Sequence, residues 1–145
     1  MLRWVKGWIP VLIRKKNPPN DFRGFTRIFG PFCWINIAYQ RWQGEAKYNE
    51  AEFEALLSHE LQHASDFYAD FPLYWFGYHR KHAQRLDYEA RGYARQYLSY
   101  TEHSSARLEH FAKLLHQRYE LEEHYSEREC FNAIADKIAV FESET

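Results

Sequence analysis

The feature that most constrains this chain of 145 residues is a run of apolar side chains at helical spacing between residues 49 and 69. The apolar positions of this segment are Phe53, Leu56, Leu57, Leu61, Ala64 and Phe67. They recur at intervals of three and four residues, which places their side chains on one face of an α-helix. Asn49 and Glu52 resemble a capping box at the start, and Pro72 follows the end. The pattern predicts an amphipathic helix over about 49–69.

The segment before this helix is typical of strands and loops. Trp8–Arg14 is a short apolar run that ends in the turn-forming sequence KKNPPND. Phe25–Phe29 alternates weakly, and Phe32–Tyr39 (FCWINIAY) is the strongest strand candidate because it is rich in aromatic and β-branched residues.

The segment after the helix is typical of further helices. Helical spacing predicts them over about 81–100 and 104–119, and from a capping box at Ser126 and Glu129 to Phe141. The aromatic segment FPLYWFGYHR, between the first and second helices, is predicted as a loop. Together the elements predict one α+β domain over 1–145, in which a small N-terminal antiparallel or mixed sheet packs on the helix at 49–69 and three helices follow.

Composition and charge exclude several classes of function. The net charge is −1, with both signs interspersed, which argues against a protein that binds nucleic acid through its phosphates. No stretch of about 18 apolar residues predicts a membrane span, and the uncharged run Gly7–Ile13 is too short for a signal peptide. We therefore expect a cytoplasmic protein without membrane partners, or a virion-associated one if a phage encodes it.

The two cysteines, Cys33 and Cys130, are far apart and have no metal-binding spacing. In a chain without a secretion signal, such residues are expected to be buried, reduced thiols.

The predicted helix at 49–69 carries His59, Glu60 and His63 in the pattern H-E-x-x-H. Residues four apart share a helix face, so the two imidazoles can bind one metal ion. Glu60 is offset by about 100° and can act as a general base on a water at that ion without being a ligand. The alternative is a pair of surface histidines, but both lie near the buried stripe, where polar groups need partners.

A third ligand would have to come from elsewhere in the chain. Metzincins place Gly and His where this chain has Asp66 and Ala69, which excludes that family. Glu89 lies on the next predicted helix, 26 positions after His63, and His79 and His82 are alternatives in or beside the aromatic segment.

The pairing of HELQH with YEARGYA resembles small bacterial and phage proteins with a minimal gluzincin-like core, over about residues 32–100. The resemblance implies a zincin-like fold and a zinc metallopeptidase that binds one Zn²⁺ through His59, His63 and Glu89, with Glu60 as general base. Larger gluzincins often have an Asp one turn after the third ligand to orient the first His, and this chain has Tyr93 there.

The sequence also resembles that of the SprT-like metalloproteases. They also begin with HELxH but take the third ligand from a histidine in a loop before the next helix, a role that His79 or His82 could fill here.

The enzyme hypothesis predicts a peptide or protein substrate that adds as a strand along FCWINIAY, taken as the sheet edge. Tyr74, Tyr78 and His79 are the candidates for stabilising an oxyanion. The remaining histidines are expected to face solvent: His103, His110, His116 and His124.

A different class of function stays open at this point. A non-catalytic protein stabilised by zinc could serve as a structural or interaction component of a larger assembly, such as a phage particle. The aromatic content of 19% suits such a role as well as it suits a substrate groove.

Overall fold

The computed structural model describes residues 1–5, 9–15, 24–29, 32–37 and 50–145. The strands are β1 (Leu2–Val5), β2 (Ile9–Lys15), β3 (Gly24–Phe29) and β4 (Phe32–Ile37). The helices are α1 (Glu50–Asp70), α2 (Leu73–Arg80), α3 (His82–Leu98), α4 (Ser105–Arg118) and α5 (Glu127–Ser143). A sheet followed by helices confirms the α+β class.

The four described strands form one mixed sheet in the order β1-β2-β4-β3. β2 and β4 are parallel, whereas β1 pairs antiparallel with β2 and β3 pairs antiparallel with β4. The three strands expected from the sequence correspond to β2, β3 and β4. Trp8, the KKNPPND residues from Lys16 onward, Ala38, Tyr39 and the cap at Asn49 lie outside the described residues.

The prediction that FCWINIAY forms the sheet edge is wrong. β4 pairs on both sides, with β2 and with β3, and within the described sheet β3 is the edge strand on that side. Cys33, Ile35 and Ile37 of β4 are buried, and the apolar character that made this segment the strongest strand candidate reflects its central place. A proline at Ile35 or Ile37 would therefore disrupt the sheet itself.

Helix α1 lies between the sheet and the remaining helices. Its apolar face, with Phe53 and Leu57, joins a core cluster with buried strand residues such as Val11 and Ile35. α3, α4 and α5, with the turn between α4 and α5, form a second cluster, whose largest members include Tyr93, Phe111, Leu115, Leu121, Ile134 and Phe141. The side of α1 that faces α3 carries polar groups, and this is where the candidate site lies.

The aromatic segment predicted as a loop is largely helical. α2 covers Leu73–Arg80, so the structure has four helices after α1 within its described part, where three were expected. A Cβ atom at Gly77 would lie only 1.3 Å from Oε1 of Gln84, so the glycine leaves room for the Gln84 side chain of α3. The expected capping box at α5 is present, with Ser126 and Glu129 bonded reciprocally.

Both cysteines are free and buried, as expected from the sequence. Burial raises the pKa of Cys33 to about 12 and that of Cys130 to about 11, so both thiols stay protonated at neutral pH. Among the described helices, none combines the length and apolar character needed to cross a membrane.

Candidate metal centre

The structure brings His59 and His63 of α1 together with Glu89 of α3. Nε2 of His59 lies 3.5 Å from Oε2 of Glu89, and Nε2 of His63 lies 3.3 Å from the same oxygen. One potential ligand atom from each residue falls within 4.8 Å of the other two. Among the residues that the structure describes, this is the one group of three or more such side chains with that geometry. The three groups could hold a metal ion.

Burying these three polar side chains costs free energy unless a charged partner compensates for the lost water. His59, His63 and Glu89 are 5%, 9% and 2% exposed. Within the described part of the chain, Oε2 of Glu89 and Nδ1 of His63 have no hydrogen-bond partner. An anionic oxygen in this position, facing two imidazole nitrogens, matches the donor set of metal sites with His and carboxylate ligands. The residues present therefore fit a divalent cation.

The electrostatics of the three side chains also favour a cation at this position. Burial by itself would lower the pKa of His63, but the surrounding carboxylates, Glu89 foremost and then Glu60 and Asp66, together raise that pKa to about 9. Burial would raise the pKa of Glu89, but His63 and His59 hold it well below its usual range. The cluster thus stabilises a positive charge between the carboxylate and the imidazoles, and a metal ion can take the place of the proton.

Neither alternative third ligand belongs to this group. His79 is an exposed residue of α2 whose ring contacts Trp75 at a centroid distance of 4.8 Å. His82, at the start of α3, stacks on His124 at 3.5 Å. Of the three residues considered from the sequence, the structure brings Glu89 alone to the two histidines of α1.

Close packing of α3 on α1 allows Glu89 to reach the histidines. Gly92 lies less than one turn after Glu89 and faces the His59 ring, and a Cβ atom at this position would lie 2.7 Å from Nε2 of His59. Any larger residue would push the ring or the helix away. The glycine therefore sets the distance between the two helices at the site.

Gln96 contacts the first histidine of the group, as an Asp often does in larger gluzincins. Nδ1 of His59 lies 3.1 Å from Oε1 of Gln96, and both side chains are buried. If Nδ1 donates this bond, Nε2 keeps its lone pair for a metal. Tyr93 packs edge-on against the His59 ring at 4.6 Å. The sequence analysis missed Gln96, although it shares the face of Glu89 two helical turns later.

We expect Gln96→Leu to weaken zinc binding by about 10- to 100-fold, the usual effect of removing a partner that orients a metal ligand. The leucine keeps the volume but leaves Nδ1 of His59 without an acceptor. Competition against a chromophoric chelator would measure the affinity, with Gln117→Leu, at an exposed position of α4, as the matched control. An unchanged affinity in Gln96→Leu would mean that this hydrogen bond does not orient His59 for a metal.

Glu60 lies beside the three-residue group, at 7% exposure, and contacts the edge strand β3. Thr26 Oγ1 donates a hydrogen bond of 2.5 Å to Oε2 of Glu60. A Cβ atom at Gly24 would lie 2.6 Å from Oε1 of Glu60, so the glycine leaves room for the carboxylate under the strand. Thr26 was not foreseen from the sequence, because the contact joins residues 34 positions apart.

A cavity of about 570 Å³ opens over the cluster. His59, Glu60, His63 and Glu89 lie in its wall. The three oxyanion candidates, Tyr74, Tyr78 and His79, also line it. The hydroxyl of Tyr78 donates a hydrogen bond to Oε1 of Glu89, which leaves Oε2 to face the histidines.

The later histidines lie away from the cluster. His103, His110 and His124 are exposed, as expected, whereas His116 is half-buried.

Comparison with family models found no match, and comparisons with curated proteins and with solved structures found no significant similarity. The resemblances to minimal gluzincins and to SprT-like metalloproteases therefore stay predictions drawn from the motifs.

Proposed function

We propose that this chain is a zinc-dependent metallopeptidase that hydrolyses peptide bonds. The observation that carries the proposal is the buried group of His59, His63 and Glu89 with the Glu60 carboxylate beside it, in the wall of one cavity. A metal site that only stabilised the fold would not need a carboxylate such as Glu60 beside it in the wall of a cavity of substrate size.

Zinc is the metal that suits these ligands best. Two imidazole nitrogens and one carboxylate oxygen are the protein ligands of many catalytic zinc sites, which keep a further position for water. When bound, zinc would lower the pKa of a water molecule and polarise the scissile carbonyl. His59 and His63 would bind through Nε2, and Glu89 through Oε2, the atoms that already face one another.

Glu60 would act as the general base and acid. It takes a proton from the attacking water and passes that proton to the leaving amine. Thr26 bonds to Oε2 of Glu60 and would hold the carboxylate in one orientation, with Oε1 as the oxygen that exchanges the proton. Burial in the cavity wall keeps this exchange away from bulk water.

β3 would bind the substrate backbone. Gly24, Thr26 and Ile28 of this strand line the cavity, and within the described sheet the strand pairs on one side, with β4. An extended peptide could add along the other side, with its backbone held by main-chain hydrogen bonds. The substrate edge expected at β4 is therefore reassigned to β3.

The test is peptide cleavage by the purified chain with its metal controlled. We expect one zinc per chain, cleavage of a mixed peptide library, loss of cleavage after chelation and recovery on adding zinc. A chain that binds zinc at this site but cleaves nothing would contradict the proposal and favour a zinc-stabilised structural protein. A chain that binds no zinc would contradict both functions.

A further inference from the structure

A second cavity of about 410 Å³ lies beside the cavity over the candidate metal centre. The two cavities share four lining residues: Gly24, His59, Glu60 and Tyr119. They therefore adjoin at the residues of the proposed reaction, and together they are called the cleft. The half that contains Phe67 and Trp75 is called the apolar half, and the half that contains Arg107 and Arg118 the basic half.

The two halves differ in chemistry. Beyond the residues of the metal centre, the apolar half, with Arg27 at its wall as well, is lined mainly by aromatic and aliphatic side chains: Ile28, Trp34, Phe67, Tyr74 and Trp75. In the basic half, α4 contributes Arg107 and Arg118 together with His110. Among the described residues of that wall, Glu52 and Glu60 are acidic. The wall therefore has as many guanidinium groups as carboxylates, and both guanidinium groups come from α4.

The two arginines have no carboxylate partner within the described part of the chain. Arg107 lies over the Tyr100 ring at 3.8 Å and donates to the carbonyl oxygen of Glu102. Arg118 is exposed.

Other arginines near the site are paired, in contrast. Arg91 binds Asp66 at 2.9 Å, and Arg85 binds Glu120 at 3.2 Å. Guanidinium groups favour carboxylates because they donate two parallel hydrogen bonds. Arg107 and Arg118 are thus the groups that could bind a carboxylate from outside.

The direction of β3 relates each half of the cleft to one end of a bound peptide. Thr26 and Ile28 line the apolar half, whereas β3 meets the basic half at Gly24, its first residue. An antiparallel partner is the slightly more stable addition to a strand. A peptide antiparallel to β3 places its C-terminal part at Gly24, and hence in the basic half.

We propose that this cleft selects peptides with a large apolar residue before the scissile bond and a carboxylate after it. Arg107 and Arg118 bind the carboxylate, which comes from an Asp or Glu side chain or from the C-terminus of the peptide. The inference rests on the proposed peptidase function and names its substrate class.

The experiment uses zinc-loaded protein and peptides that share a Phe before the cleaved bond. One peptide has Glu after the bond and an amidated end, one has Gln and a free C-terminus, and one has Gln and an amidated end. In a fourth, amidated peptide the Glu precedes the Phe, two residues before the bond. We expect kcat/KM for one of the first two to exceed that of the neutral peptide by about tenfold, which corresponds to about 1.4 kcal/mol. Whichever is preferred identifies the source of the carboxylate.

In the double variant Arg107→Gln, Arg118→Gln, the ratio of kcat/KM for the preferred acidic peptide to kcat/KM for the neutral peptide should fall close to one. Arg128→Gln, at an exposed position of α5 outside the cleft, is the control and should leave the ratio unchanged. A ratio that persists in the double variant would overturn the inference, and so would a preference for Glu before the bond.

Binding to the zinc-loaded Glu60→Gln variant separates this inference from the proposed function. Fluorescence anisotropy with the same labelled peptides should show the same preference for a carboxylate and the same dependence on the two arginines. If the native protein cleaves nothing, the peptidase proposal fails, and binding still decides the inference. Equal binding of acidic and neutral peptides would overturn it.

Discussion

Replacing Glu60 with glutamine is expected to lower peptide hydrolysis by about 10²- to 10⁴-fold, the range associated with loss of a general base. Glutamine keeps the size of the side chain and can still hydrogen-bond to Thr26, but it cannot take a proton from water. Zinc content should stay near one per chain, because Glu60 is not one of the three grouped ligands. Metal analysis and initial rates on the same preparation would measure both effects.

Glu54→Gln, on the same helix, is the matched control. Glu54 is partly exposed and pairs with Arg3 at 3.5 Å, away from the cleft, so its replacement should leave the rate unchanged. Loss of zinc from Glu60→Gln would make Glu60 a ligand and contradict its assignment as the base.

Removing the Glu89 carboxylate is expected to weaken zinc binding by about 10²-fold or more, beyond the effect of losing an outer hydrogen-bond partner. Glu89→Ala deletes the one carboxylate that both histidines face. Glu89→Gln keeps the shape and removes the charge, so it tests the same point if the alanine variant folds poorly. Competition with a chelator would measure the affinity.

His79→Ala and His82→Ala are the controls for this series, and both should bind zinc like the native chain. Their side chains contact Trp75 and His124 and lie outside the grouped ligands. If a histidine variant lost the metal while Glu89→Ala kept it, the gluzincin-like hypothesis would fail and the SprT-like one would replace it.

The parts of this site that follow local rules could be predicted from the sequence. His59 and His63 share a face because they are four residues apart on a helix, and apolar spacing was enough to predict that helix. Glu89 was chosen because the pairing of HELQH with YEARGYA resembles gluzincins, in which a following helix supplies the third ligand. Leu86, Tyr93 and Tyr97 share its face, so that face was expected to pack towards the first helix. The burial of all three confirms that packing.

The parts that depend on contacts distant in sequence could not be predicted in the same way. Strand composition placed β4 in a sheet, but the order of strands is set by packing, and the edge turned out to be β3. Thr26 and Gln96 contact residues 34 and 37 positions away. No local pattern marks Thr26, and the position of Gln96 on the face of Glu89 does not by itself identify His59 as its partner. α2 was missed because its aromatic residues lack a clear polar face.

The proposed centre is tested most directly by zinc-edge anomalous diffraction from crystals of the zinc-loaded protein. We predict one peak bonded to Nε2 of His59, Nε2 of His63 and a carboxylate oxygen of Glu89, at the distances of about 2.0–2.2 Å typical of zinc. A further coordination position should hold solvent on the side of Glu60. A peak elsewhere, or a fourth protein ligand that closes the site, would contradict a catalytic zinc centre.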